Sequence, residues 1–185
     1  MRKVTAFLFS SLDGVVESPD LYVRREVIED LLGLIRETIA EQDTVLIGRG
    51  MYDEWKDDWP MSTMEPFAPF INAVEKVVVS RTLRDVSAWK NCSLMEAPLA
   101  EGVAKLKARP GKTIGVHGSV RLVQSMLEEG LLDELRLIVF PVIAGRRKRL
   151  LERAEGDDRE AIQLDLVSAK STPTGLQLVC YAPRR

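Results

Sequence analysis

The chain has 185 residues, 45% hydrophobic and 29% charged, with a formal net charge of −2. That length suits one α/β domain over residues 1–185 and leaves little room for two. The charge balance argues against general affinity for nucleic acid or an anionic membrane surface, and a single histidine excludes a multi-histidine metal site.

Val4 to Phe9 is apolar and alternating, which predicts a first, central strand, broken by Ser10-Ser11-Leu12-Asp13-Gly14. The apolar run is too short for a signal peptide or a membrane span. After a loop through Glu17-Ser18-Pro19-Asp20, the positions Val27, Leu31, Leu34, Ile35 and Ile39 mark one face of a helix over 23–40. Thr44 to Ile47 predicts a buried strand ending at Gly48. Gly48-Arg49-Gly50-Met51 then opens a short helix with Tyr52, Trp55 and Trp59. The prolines between Pro60 and Pro69 predict an irregular excursion, followed by one helical turn at Phe70 to Ala73. Lys76 to Ser80 is a β-branched strand, Cys92 to Met95 a short one, and Ala100 to Ala108 a helix.

Thr113 to His117 reads as a buried parallel strand that turns through Gly118-Ser119 directly into a helix with Leu122, Val123, Met126 and Leu127 on one face. Such a corner aims free N–H groups and a positive dipole end at one point, where phosphate is the usual occupant; a tight structural turn is the alternative. Gly130 stops the helix, and Leu135 to Phe140 forms a strand closed by Pro141. Gly145 to Arg149 is a loop. Ile162 to Ala169 and Leu176 to Ala182 are strands of a hairpin turned at Pro173-Thr174-Gly175. The order predicts a mostly parallel sheet with antiparallel strands at one end. Cys92 and Cys180 have no metal or redox spacing and read as reduced thiols of a cytoplasmic protein.

Several fragments carry no function. Gly111-Lys112-Thr113 resembles the end of a P-loop, but Leu106 stands where its first Gly belongs and a strand follows it. No Gly-x-Gly-x-x-Gly follows a strand. Arg146-Arg147-Lys148-Arg149 reads as a solvated loop, and His117 as a structural residue at a strand end. What remains is a set of strand ends: Gly48-Arg49, Ser80-Arg81-Thr82 and Gly118-Ser119. Ligands of open α/β sheets sit at carboxyl strand ends, and arginine forks meet phosphate oxygens bidentately.

These residues belong to a wider set. It includes Ser11-Leu12-Asp13-Gly14, Gly48-Arg49-x-x-Tyr52 and Val77-Val78-Val79-Ser80-Arg81-Thr82-Leu83. It continues through Gly118-Ser119, Gly130-Leu131-Leu132-Asp133-Glu134-Leu135 and Pro141-Val142-Ile143-x-Gly145. The set resembles the dihydrofolate-reductase-like family that includes the reductase domain of bacterial riboflavin biosynthesis. The resemblance implies a three-layer fold, NADPH lying along the strand ends, and hydride transfer to a small heterocyclic or carbonyl substrate. It implies Arg49, Ser80 and Arg81 at the adenosine 2′-phosphate, with Gly48 and Thr82 in the same cofactor set. Met51, Gly118, Ser119 and Val120 would approach the pyrophosphate through backbone N–H groups. Asp13, the catalytic candidate, and Gly14 would belong to a mobile loop over the nicotinamide. Pairing as a homodimer is a further implication.

The chain departs from that pattern in two places. Gly145-Arg-Arg-Lys-Arg-Leu-Leu stands where the family often has Gly-x-Gly-x-x-Leu-Phe, and Gly50-Met51 replaces hydroxyl-bearing or charged residues. Asp20, Glu26, Glu29 and Asp30 match the proton-donating carboxylate of dihydrofolate reductase poorly in spacing, so folate is not the expected substrate. Tyr52, Trp55 and Trp59 either stack on a substrate ring or pack helix against sheet. A non-catalytic nucleotide-binding module is the alternative to a reductase.

Overall fold

The computed structural model describes residues 1–151 and 160–184; residues 152–159 and 185 of the expected single domain lie outside the described residues. One eight-stranded sheet organises them. Its strands are β1 (Val4–Ser11), β2 (Gln42–Gly48), β3 (Glu75–Val79), β4 (Cys92–Leu94), β5 (Thr113–His117), β6 (Glu134–Phe140), β7 (Leu164–Ser171) and β8 (Gln177–Pro183). They lie in the order β4-β3-β2-β5-β1-β6-β8-β7. The first six run parallel, and β8 and β7 are antiparallel to their neighbours. The predicted fold class stands.

Five helices join the strands: α1 (Ile28–Ala40), α2 (Arg49–Asp58), α3 (Phe67–Ala73), α4 (Leu99–Ala108) and α5 (Val120–Glu128). Period-2 alternation sorts the strand side chains between two faces. Val4, Ala6 and Leu8 of β1 join Ile114 and Val116 of β5 against α4 and α5. Phe7, on the opposite face, packs with Leu31, Leu34 and Ile35 of α1. Val45, Ile47 and Val78 pack with Tyr52 of α2 and Ile71 of α3. Both faces are covered, so the central strands read as apolar runs.

Three expected boundaries moved. The helix expected over 23–40 becomes α-helical only at Ile28, after short 3₁₀ turns at Pro19–Leu21 and Arg25–Val27. Tyr22 lies instead in the core beside Phe140, with its hydroxyl donating to Val15 O at 3.3 Å. The excursion from Pro60 to Pro69 contains the first turn of α3, which begins at Phe67. Pro69 is its third residue, where a missing N–H leaves no intrahelical bond unmade. β7 is shifted by two residues relative to the expected strand, because it runs on to Ser171, up to a hairpin turn that closes where expected. Gly175 N–H donates to Thr172 O and Thr172 N–H to Leu176 O.

Candidate active site

The carboxyl ends of β2, β3 and β5 lie side by side, and the chain leaves two of them straight into helices. Gly48, extended at φ −75° and ψ 161°, caps α2. Gly118, at φ +63°, bends β5 into α5, a left-handed conformation that glycine adopts freely. Ser119 makes no side-chain cap to its own helix. Its Oγ accepts the N–H of Gly48 at 2.9 Å and so stitches the start of α2 to the start of α5. Two positive helix ends are thereby held together, and neither first turn contains an acidic residue that would neutralise it. Arg121 and Leu122, the next residues of α5, belong to a first turn whose N–H groups have no intrahelical acceptor.

Arg49 and the turn after β3 complete this corner. Ser80 Oγ accepts the N–H groups of Thr82 (3.2 Å) and Leu83 (3.0 Å), which fixes the turn. Arg49 Nη1 donates to Thr82 Oγ1 at 2.7 Å, while its Nε reaches Asp53 Oδ2 at 3.2 Å one helical turn away. Arg49, Arg81 and Thr82 are exposed and Ser80 is half-buried. The structure therefore brings Gly48, Arg49, Ser80, Arg81 and Thr82 onto one edge beside Ser119.

Other expected residues stand differently. The N–H groups of Ser119 and Val120 donate to His117 O (2.7 Å) and Gly118 O (2.9 Å), so both are occupied within the turn. A Cβ on Gly118 would lie 2.8 Å from Met51 Cε and 3.5 Å from Trp55 Cζ2. The side of Gly118 expected to face a ligand is thus covered by Met51 and Trp55. Tyr52 is 2% exposed and packs in the core with Val45 and Ile47, so its ring is not presented to a substrate.

Trp55 and Trp59 are half-buried and continue into an aromatic wall that the sequence did not reveal. Phe67 lies 5.6 Å from Trp55, 4.8 Å from Trp59 and 5.4 Å from His117, centroid to centroid. His117 in turn lies 5.6 Å from Phe7, which meets Phe9 at 5.7 Å. Most of these contacts are edge-to-face, the arrangement that ring quadrupoles favour. Gln42 anchors the centre of the wall, its Oε1 lying 2.7 Å from His117 Nε2. Burial pushes the imidazole down to about 3, so His117 is neutral in the fold and acts as one more ring of the wall. Gln42 stands 75 residues away in sequence, and no local pattern signals the pair.

Asp13 sits at the carboxyl end of β1 in a different setting. It accepts Ser11 Oγ at 2.6 Å and the N–H groups of Ala144 and Gly145 at 2.9 Å each. These bonds, the Ser11 hydroxyl foremost, hold its carboxyl down at about 2. An acid that delivers a proton near neutrality needs a raised pKa. Asp13 has the opposite and is a poor donor. Further backbone bonds join the same two loops: Leu12 N–H to Val142 O, Val16 N–H to Lys148 O, and Leu150 N–H to Gly14 O. Asp13 and Gly14, expected in a mobile loop, are here tied to the 142–150 loop.

Away from this edge, a groove of about 610 Å³ lined by Leu127, Leu132, Ile162, Gln163 and Pro183 opens at the amino end of β6. It shares no residue with the strand-end site. Among the described residues no group of His, Cys, Asp or Glu is arranged to hold a metal ion, and no helix is long and apolar enough to cross a membrane. Cys92 and Cys180 are both free thiols.

Comparison with known proteins decides the family. The family model described as the RibD C-terminal domain matches residues 2–178. The chain belongs to the RibD C-terminal domain family. An uncharacterized protein of Bacillus subtilis (strain 168), YyaP, is 27% identical over 184 residues, covering 97% of this chain and 94% of that one. The crystal structure of a putative riboflavin biosynthesis protein from Shewanella sp. PV-4 superposes with a TM-score of 0.69 at 20% identity, covering 99% of both chains. A Thermotoga maritima diaminohydroxyphosphoribosylaminopyrimidine deaminase/5-amino-6-(5-phosphoribosylamino)uracil reductase matches with a TM-score of 0.67 at 15% identity. This RibD-type chain covers 99% of its own length there but 57% of the larger protein. The shared fold is the α/β architecture described above.

Proposed function

We propose that this RibD-type domain is an NADPH-dependent reductase that transfers a hydride to a small heterocyclic or carbonyl substrate. The observation that carries the reading is the Arg49–Thr82–Ser80 cluster lying beside two stitched helix N-termini at the carboxyl ends of β2, β3 and β5. The donor set fits a phosphorylated dinucleotide: an exposed guanidinium fork, two hydroxyls and helix ends free of carboxylates. When bound, the nicotinamide supplies the hydride. The chain's own part is to bind, orient and exclude water. Arg49, Ser80, Arg81 and Thr82 would hold the 2′-phosphate, and Gly48, Met51, Gly118, Ser119 and Val120 border the path to the pyrophosphate. Trp55 and Trp59, with Phe67, offer ring faces to a flat substrate. Asp13, whose carboxyl is held low, is a poor proton donor, and water is the proposed proton source. Two free thiols suit a reducing compartment such as the cytoplasm.

Calorimetric titration with NADPH and NADH tests the reading. A charge-assisted contact to phosphate is worth about 1.5–3 kcal/mol, so NADPH should bind at least roughly tenfold more tightly. Equal affinity for the two cofactors overturns the assignment of Arg49 and Arg81. Binding of NADPH without its oxidation against a broad panel of heterocyclic and carbonyl substrates favours a non-catalytic nucleotide-binding module instead.

A further inference from the structure

Trp59, one ring of the aromatic wall, stands where α2 has already ended. It opens a short 3₁₀ turn with Pro60 and Met61, beyond which Met61 is 85% and Met64 61% exposed. One hydrogen-bonding side chain ties this turn to α3. Asn72 Nδ2 donates to Trp59 O at 2.8 Å, and Asn72 Oδ1 accepts Trp89 Nε1–H at 2.9 Å. Trp59 O also takes the N–H of Ser62 at 3.1 Å, which its second lone pair allows. The two partners leave the amide of Asn72 no choice of orientation, because a carbonyl only accepts and an indole N–H only donates. An ionised aspartate would lack the donor, and leucine would lack both groups.

The support continues inward to the sheet. α3 has only seven residues, too few to hold a helical shape unaided. The carbonyls at its end are held from outside. Lys76 Nζ donates to Ile71 O (2.8 Å) and Val74 O (3.0 Å), and Asn91 Nδ2 to Asn72 O and Ala73 O (3.2 Å each). A cation suits the negative end of the helix dipole. Lys76 is fully buried, with its ammonium 4.6 Å from the centroid of the Trp89 ring, and Trp89 is itself 2% exposed. A buried ammonium is costly, and neither the cofactor edge nor the wall uses its charge. What it holds accounts for its place. Lys76 belongs to β3, the strand that leads into Ser80, Arg81 and Thr82, so the aromatic wall and the cofactor edge are referred to one strand.

We propose that Asn72 is the positioning residue of the aromatic wall. It sets the angle and spacing of Trp59 against its neighbours, and so the ring face that a flat substrate meets. Trp59 lies 5.7 Å from Trp55 at an interplanar angle of 74°, and 4.8 Å from Phe67 at 70°. Apolar packing is non-directional and would let the ring slide, whereas a hydrogen bond to its own carbonyl fixes where the turn sits. Lys76, Trp89 and Asn91 hold α3, and Asn72 passes that fixed position on to Trp59. That a substrate uses this face rests on the reductase reading proposed above; the placement of Trp59 does not.

Circular dichroism of the full chain tests the placement. The chain has three tryptophans, and Trp55 and Trp59 are close and non-parallel, so their coupled transitions should give an exciton couplet that Trp55→Phe abolishes. Asn72→Asp keeps an acceptor for Trp89 but sets a carboxylate oxygen against Trp59 O. Asn72→Ala removes both bonds without burying a charge and serves where the first variant does not fold. Each variant that melts cooperatively should lose most of the couplet, and acrylamide should quench its indole emission more strongly than that of the parent. Trp89→Phe removes only the donor on the inner side and should keep the couplet. A couplet that survives in the folded Asn72 variants overturns the proposal. So does its equal loss in Trp89→Phe, which would make the network a general support of the fold. A parent spectrum that Trp55→Phe leaves unaltered also overturns it, since the rings are then not placed as described. For any compound of the substrate panel that the parent reduces, KM should rise several-fold in the Asn72 variants with kcat and the NADPH-over-NADH preference unchanged. An unchanged KM with the couplet lost overturns the substrate role. Equal affinity of the parent for NADPH and NADH overturns the cofactor assignment and leaves the couplet to decide where Asn72 puts Trp59.

Discussion

Two polar clusters stand on the same edge of the same sheet and are built in opposite ways. Around Asp13 every strong group is directed inward: both carboxylate oxygens accept backbone N–H groups, and the flanking loops bond to each other. Around Arg49 the groups are held by few partners and remain exposed, beside two helix ends that carry no acid. Hydrogen-bonding capacity that is used up internally makes a joint; capacity that is positioned but left open makes a site. By this measure the catalytic candidate of the sequence is the joint, and the proposed cofactor residues are the ones whose capacity is left open.

Replacing each centre in turn should break the comparison in opposite directions. The larger effect is expected at Asp13. Asp13→Asn keeps one acceptor oxygen but sets its amide N–H₂ against a backbone donor of the 144–145 pair, so one of the two bonds to that loop is lost with a donor left unpaired, and the melting temperature should fall by several degrees. NADPH-over-NADH preference in the folded variant should not change. Acid should reproduce the effect in the parent. The folded pKa of about 2 lies below the ordinary value of 3.8, so the stabilisation is complete above pH 4 and is lost as pH falls from about 4 towards 2. Thermal melts of parent and variant should therefore converge across that window. Melts that stay parallel from pH 5 to pH 2 would show that the carboxylate is not the lock.

Arg49→Leu should give the converse. Its side chain is 54% exposed and its ion pair with Asp53 is a surface pair, so stability should move by no more than about 0.5 kcal/mol. NADPH affinity should drop roughly tenfold or more, with NADH affinity nearly unaltered, because only NADPH has the phosphate that the fork would meet. A variant that binds both cofactors as the parent does removes the 2′-phosphate from this corner.

The difference between joint and site also divides what could be read in the sequence from what could not. Strands and their carboxyl ends were legible, since the buried parallel strands are continuous apolar runs and Gly48, Ser80 and Gly118 end three of them. That pattern alone places Arg49, Arg81 and Thr82 at neighbouring strand ends. The joint was not legible, because Asp13 meets Ala144 and Gly145 across more than 130 residues. Nor was the wall around His117: its aromatic residues come from β1, α2 and α3, and Phe67 was hidden in a proline-rich stretch. Tyr52 was misleading for a related reason. Three residues of α2 separate it from Trp55, so both rings lie on one face of the helix, with Tyr52 deep in the core and Trp55 only partly buried against the same cluster.

The smallest expected effects on cofactor affinity lie at the corner between the two helices, and there the structure changes what a substitution can test. Gly118→Ala does not simply add a methyl at a ligand. It forces alanine to φ +63° and drives its Cβ towards Met51 Cε at 2.8 Å, so stability should fall by about 1 kcal/mol or more whether or not anything binds. Ser119→Ala is the cleaner probe. It adds no atom and leaves the backbone unstrained, removing only the Oγ that accepts the Gly48 N–H. The lost bond is worth about 0.5–1.5 kcal/mol. If the corner is structural alone, that change in stability is the whole consequence. If pyrophosphate lies there, the starts of α2 and α5 are no longer held in register towards it, and NADPH affinity should fall several-fold in protein that is fully folded at the assay temperature. NADH should lose the same factor, because both cofactors contain the pyrophosphate, whereas Arg49→Leu separates them. Unchanged affinity for both cofactors in Ser119→Ala would remove the pyrophosphate from the α2–α5 corner while leaving the Arg49 cluster to be judged by its own variant.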